Sequence, residues 1–166
     1  MSAIFFGNKK GISLIEILIV VAIILITLTS LLGVAVFSLK LSTSVKNTTV
    51  ADGLAKEAIE ATRNFRDGTN WDSDGLAVLN TGDSNPYHPE KSSDTPPKWL
   101  LFSGEETING LVRKIVFEKV SRDGAGDIEA SYNSVNDDPE TRKVIVTVSW
   151  ENKKIEIITY FTNWKQ

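Results

Sequence analysis

Residues 9–41 read KKGISLIEILIVVAIILITLTSLLGVAVFSLKL, and they constrain the fold before anything else does. Two lysines and a glycine come first, then an apolar run whose one early charge is Glu16. From Ile17 to Leu39 no side chain is ionisable. A run of this length meets the roughly 20 residues that a helix needs to cross a ~30 Å hydrocarbon core. Lysines ahead of it hold the N-terminus on the cytoplasmic side and direct the rest of the chain outward.

Glu16 does not fit a plain anchor. A carboxylate at the centre of such a helix costs roughly 2.5–3.5 kcal/mol, less near an end, and usually has a partner. Lys40, the nearest cation downstream, is several turns away. A secretory signal or signal anchor explains the lysines and the run but leaves Glu16 unexplained. No small-residue cleavage site of the secretory kind follows the run.

Lys9-Lys10-Gly11 followed by Ile12-Ser13-Leu14-Ile15-Glu16 resembles the processing motif of type IV prepilins and pseudopilins. The resemblance implies a leader over 1–11 cut after Gly11, an N-methylated Ile12, and Glu16 as the acid at the fifth mature position. The more common Phe and Thr are replaced here by Ile12 and Ser13. It also implies a partner for Glu16: the free amino group of residue 12 on a neighbouring subunit. An ammonium and a carboxylate attract far more strongly in a low-dielectric bundle than in water.

Apolar or small residues recur from Leu41 onward, at Leu41, Val45, Thr48, Ala51, Leu54-Ala55, Ala58-Ile59, Thr62 and Phe65, spaced by three and four. Lys56, Glu57, Glu60 and Arg63 fall between them. The spacing predicts one helix from about 12 to 65, apolar all round over 12–40 and amphipathic over 41–67. Gly33, near Thr27, Thr29 and Ser30, marks either a bend or a site of tight helix packing.

The remaining residues, 68–166, read as a β-rich head. Asn70, Asp72 and Asp74 with Gly75 form the first half of a calcium loop. Thr81 stands where the closing acid belongs, and such turns are common without metal, so no metal and no cofactor is expected. Residues 75–80 read as a short strand, and 81–98, with four prolines and the single His88, as a surface loop. Strands are expected at 99–102, 111–120 and 128–132, with turns at 105–110 and 136–140. The runs VIVTVSW (144–150) and IEIITYF (155–161) give the strongest hairpin signal. The acid pairs Glu105-Glu106 and Asp137-Asp138 fall in the expected turns and read as solvated. Trp71, Trp99, Trp150 and Trp164 read as core or rim aromatics.

The fold class expected is therefore α+β, a long N-terminal helix packed on a small antiparallel sheet, the α/β roll that the pilin resemblance implies. The segments 60–67, 70–71, 148–150 and 159–164 also resemble pilin-like proteins encoded in small-genome bacterial lineages, of the minor-pilin kind.

With 166 residues the chain fits one modest domain plus its helix, and with no cysteine it has neither disulfide nor thiolate chemistry. A formal charge of −3 disfavours general nucleic-acid binding. No catalytic constellation emerges, so an enzyme is not expected. The function that follows is a structural subunit of a type IV pilus-like filament. Its partners are a prepilin peptidase and methyltransferase, the cytoplasmic membrane before assembly, and other subunits through the helix. The assembled filament lies at the cell surface. The alternatives are a pseudopilin of a secretion or DNA-uptake system and a membrane-tethered surface binding module.

Overall fold

The structure is a computed structural model that describes Gly11 and residues 13–164. One α-helix, α1 (Leu14–Gly68), is followed by six strands: β1 (Tyr87–Lys91), β2 (Trp99–Ser103), β3 (Glu106–Ile108), β4 (Leu111–Ser121), β5 (Asp137–Trp150) and β6 (Lys153–Thr162). The strands form one antiparallel sheet in the order β2-β1-β4-β5-β6, with β3 also paired to β4. The class is α+β. The chain divides into two compact units, Met1–Lys46 and Asn47–Gln166, and α1 contributes to both.

In the second unit, Ala51, Ala55, Ala58, Ala61, Thr62 and Phe65 make the buried stripe of α1; all but Ala61 stand at positions read from the sequence, while Leu54 and Ile59 are only half-buried. Four of them are alanines with no exposure at all, so the helix backbone lies close to what it covers. That is the sheet: the same core holds Ile115 and Phe117 of β4, Val144, Val146 and Val148 of β5, and Phe161 of β6. Alternate residues of β5 point into this core, as a half-buried strand requires. The hairpin β5–β6 closes over Glu151 and Asn152, with Trp150 opposite Lys153.

Where the strands differ from expectation, the reasons are local. Residues 75–80 are not a strand; Leu76–Val78 form a 3-10 turn that buries Leu76. Gly75 is required there, because a Cβ would stand 2.5 Å from the Asn70 carbonyl oxygen. The stretch 81–98 is not all loop, since β1 runs through it and pairs with β2 along its whole length. Pro89 is tolerated in β1 because that strand meets β4 only at Tyr87, so its other side has no ladder for a proline to break. His88 is consequently no solvated loop residue: its side chain is 15% exposed, with Nδ1 3.2 Å from the Gly104 carbonyl and Nε2 3.1 Å from Glu90.

The expected turn at 105–110 is a hairpin, β3–β4, closed by Asn109-Gly110 with both residues at positive φ (52° and 82°). That dipeptide between Ile108 and Leu111 is a type I′ signal the strand reading passed over. Residues 128–132 form no strand; Ile128 makes a single bridge to Arg122. The turn expected at 136–140 is the beginning of β5, with Pro139 in an irregular stretch where the register against β4 shifts.

The acid pairs also do more than meet solvent. Arg113, 3% exposed, takes Glu106 through Nε at 2.6 Å and donates from Nη1 to the Leu54 carbonyl at 3.1 Å and to Glu57 at 3.4 Å. It ties β3, β4 and α1 together. Asp138 accepts from Arg122 Nε at 2.6 Å. Burial pushes its carboxyl upward, but hydrogen bonds from Arg122, Thr141 and the Glu140 amide outweigh that and hold it below the ordinary range.

Trp71 and Trp150 are buried; Trp71 Nε1 donates to the Pro139 carbonyl at 3.1 Å. Trp99 is half-buried with the Lys91 ammonium 4.9 Å from its ring centre, and Trp164 is exposed and donates to Asp67 at 3.1 Å.

Candidate processing and assembly segment

The helix begins inside the motif read from the sequence, at Leu14. The Ser13 carbonyl accepts from the amides of Glu16 (3.0 Å) and Ile17 (3.3 Å), which places Glu16 in the first turn of α1. A negative charge there meets the positive end of the helix dipole, worth about 0.3–1 kcal/mol. Ser13-Leu14-Ile15-Glu16 also has the Ser-x-x-Glu spacing of a capping box, a signal for the helix start that the reading of Glu16 as an anomalous charge overlooked. The dipole offsets only part of the cost of taking a carboxylate into lipid, so a further partner is still called for.

Gly11 is exposed and nothing lies within 4 Å of where its Cβ would stand. Lys9, Lys10 and Ile12 lie outside the described residues. Glu16 and Gly11 are thus placed at the helix start, while the geometry of the Gly11–Ile12 bond is not described.

From Leu14 through Leu41 every side chain of α1 is exposed, the large apolar ones included. By length and composition α1 is the one helix among the described residues apolar enough to cross a membrane. Three hydroxyls in the middle of this stretch are satisfied internally. Thr27 donates to the Ile24 carbonyl (2.8 Å), Thr29 to Leu25 (2.9 Å) and Ser30 to Ile26 (2.9 Å). Hydroxyls folded back in this way leave no orphan donor, which a segment in lipid demands. The helix continues through Gly33 without interruption, and no neighbour among the described residues requires the missing side chain.

Asn70, Asp72 and Asp74 fall together in the turn after α1. Asn70 Oδ1 accepts from the amides of Asp72 (3.1 Å) and Ser73 (3.3 Å), and Asp74 Oδ1 accepts from the Asn70 amide (2.7 Å). These side chains build the turn itself. Among the described residues no group of three or more His, Cys, Asp or Glu side chains gathers as a metal site would require.

Residues 7–32 match the prokaryotic N-terminal methylation motif. No curated protein and no solved structure matches the chain. The motif supports a type IV pilin-like protein, one that is a prepilin peptidase substrate with an N-terminal apolar helix suited to membrane anchoring.

Proposed function

We propose that the chain is a structural subunit of a type IV pilus-like filament. It is made as a precursor whose leader, 1–11, is cut after Gly11, and the new N-terminus at Ile12 is methylated. Residues 12–40 then span the cytoplasmic membrane until assembly and form the filament core afterwards. Residues 41–67 carry the helix under the head, 68–166, which faces outward. Glu16 meets the amino group of residue 12 on the neighbouring subunit and fixes its register.

The observation that supports this reading best is a coincidence of position. The methylation motif, matched over 7–32, sets its acid in the first turn of a helix whose apolar side chains are all exposed over residues 14–41. Such a surface is stable only in lipid or among like helices. Gly11→Leu tests the processing step. The variant is expected to keep the mobility of the uncleaved precursor on a gel and to stay in the membrane fraction. Processing at the wild-type rate would count against cleavage at this glycine.

A further inference from the structure

The face of the sheet opposite the core carries three side chains in register: Glu118 on β4, Lys143 on β5 and Tyr160 on β6. Their neighbours Phe117, Val144 and Phe161 are buried, so these three point outward. Lys143 Nζ donates to Glu118 Oε2 at 2.8 Å, and that bond raises the lysine above its ordinary range.

Residues 128–132 form a wall beside this row. The Glu129 amide donates to the Ser121 carbonyl (2.9 Å), the Asn133 amide to Ser121 Oγ (2.9 Å), and Tyr132 Oη to Asp137 Oδ1 (2.9 Å). Row and wall enclose a pocket of about 320 Å³, at the lower end of the range for small-ligand sites. Glu118, Lys119 and Tyr132 also line an adjoining hollow that reaches Thr81 and Gly82. In the wall, Glu129 Oε1 accepts from Asn136 Nδ2 at 3.0 Å, while Oε2 is buried with no hydrogen-bond partner among the described residues. A buried acceptor left unsatisfied is costly, so this oxygen calls for a donor.

The lining selects the chemistry of that donor. Two carboxylates (Glu118, Glu129) are matched by two ammonium groups (Lys119, Lys143), so an ion of either sign meets as much repulsion as attraction. An apolar ligand would strand these polar groups. Tyr132 and Tyr160 add two aromatic rings, 46% and 44% exposed, each with an apolar body and a polar tip. A neutral polyhydroxyl molecule suits all of this, with hydroxyls that donate to the carboxylates and accept from the ammonium groups, and C–H faces that lie against the rings.

We propose that the pocket between the row Glu118–Lys143–Tyr160 and the wall 128–132 binds a neutral hexose unit, with Glu129 accepting one of its hydroxyls. The site belongs to the head alone and does not depend on filament assembly.

Saturation-transfer NMR on the full chain, in micelles of a detergent without a sugar head group, tests it. The probes are glucose, galactose, mannose and N-acetylglucosamine, with putrescine and inorganic phosphate as charged comparisons. Saturation is expected to reach the ring protons of at least one sugar, and to fall at least fivefold in Tyr160→Ala and in Glu129→Gln. Circular dichroism identifies a variant that has unfolded, in which case the folded one decides. No transfer to any of the four sugars, undiminished transfer in a folded variant, or preferential binding of putrescine or phosphate would each overturn the proposal.

Discussion

A chain carrying Glu16→Ala is expected to be cleaved and methylated as the wild type is, and then to fail to enter filaments. The leader junction and the apolar run are untouched, so the processing enzymes meet the same substrate. On the proposed assembly, what is lost is the partner of the amino group at residue 12 of the adjoining subunit. Removing one member of a buried ion pair costs about 3–5 kcal/mol because the other is left uncompensated. At ~1.36 kcal/mol per tenfold, that lowers incorporation by more than a hundredfold per contact. Loss of the favourable first-turn charge adds at most about 1 kcal/mol and acts on helix start rather than on assembly. Glu16→Gln, which keeps the shape and some hydrogen bonding, should be intermediate. Quantifying sheared filaments against membrane-bound mature subunit checks this, and wild-type filament yield from Glu16→Ala would remove the basis for the register role.

The second large effect lies in the head. Arg113→Ala is expected to destabilise it by about 3–5 kcal/mol, since Glu106 and the Leu54 carbonyl both lose a buried donor. A neighbour-matched replacement behaves differently: Arg113→Met combined with Glu106→Leu removes both charges together and should recover most of that loss, because a buried ion pair is often no better than apolar residues of similar size. Urea unfolding of the full chain in micelles, followed by tryptophan fluorescence, separates the two cases. If Arg113→Ala unfolded at the wild-type midpoint, the guanidinium would be shown to hold nothing together.

Arg113 also illustrates what could be read in the sequence and what could not. The helix was legible because its signal is continuous: an uncharged run, then Ala51, Ala55, Ala58, Thr62 and Phe65 on one stripe. The β5–β6 hairpin was legible because VIVTVSW and IEIITYF combine β-branched content with alternation. By contrast β1, with the sequence YHPEK, has little strand propensity of its own. It forms because β2 pairs with every one of its residues, a contact from residues 99–103 that local reading does not see. The arginine partners of Glu106 and Asp138 were hidden for the same reason, since nothing local tells an acid that its partner stands on the neighbouring strand, as Arg113 does, or just past its end, as Arg122 does. Segment 128–132 failed in the opposite sense. Its apolar residues suggested pairing, yet Ser121 holds the wall through a backbone carbonyl and a hydroxyl, and only Ile128 makes a bridge.

In the N-terminal segment nearly everything usable was local. Gly11 and Glu16 stand five residues apart and the chemistry proposed for them depends on that spacing. The capping-box spacing at Ser13 adds a second role for Glu16, in starting the helix, that is compatible with the first.

The most direct test is the mass of the N-terminal peptide, together with the intact mass, of the chain recovered from its native membrane. The account predicts a mature protein that begins at Ile12, heavier by one methyl group on its amino nitrogen, with residues 1–11 gone. A chain that still begins at Met1 would contradict it: there would be no free amino group at residue 12 for Glu16 to meet, and the helix would be a tether for the head rather than a filament core.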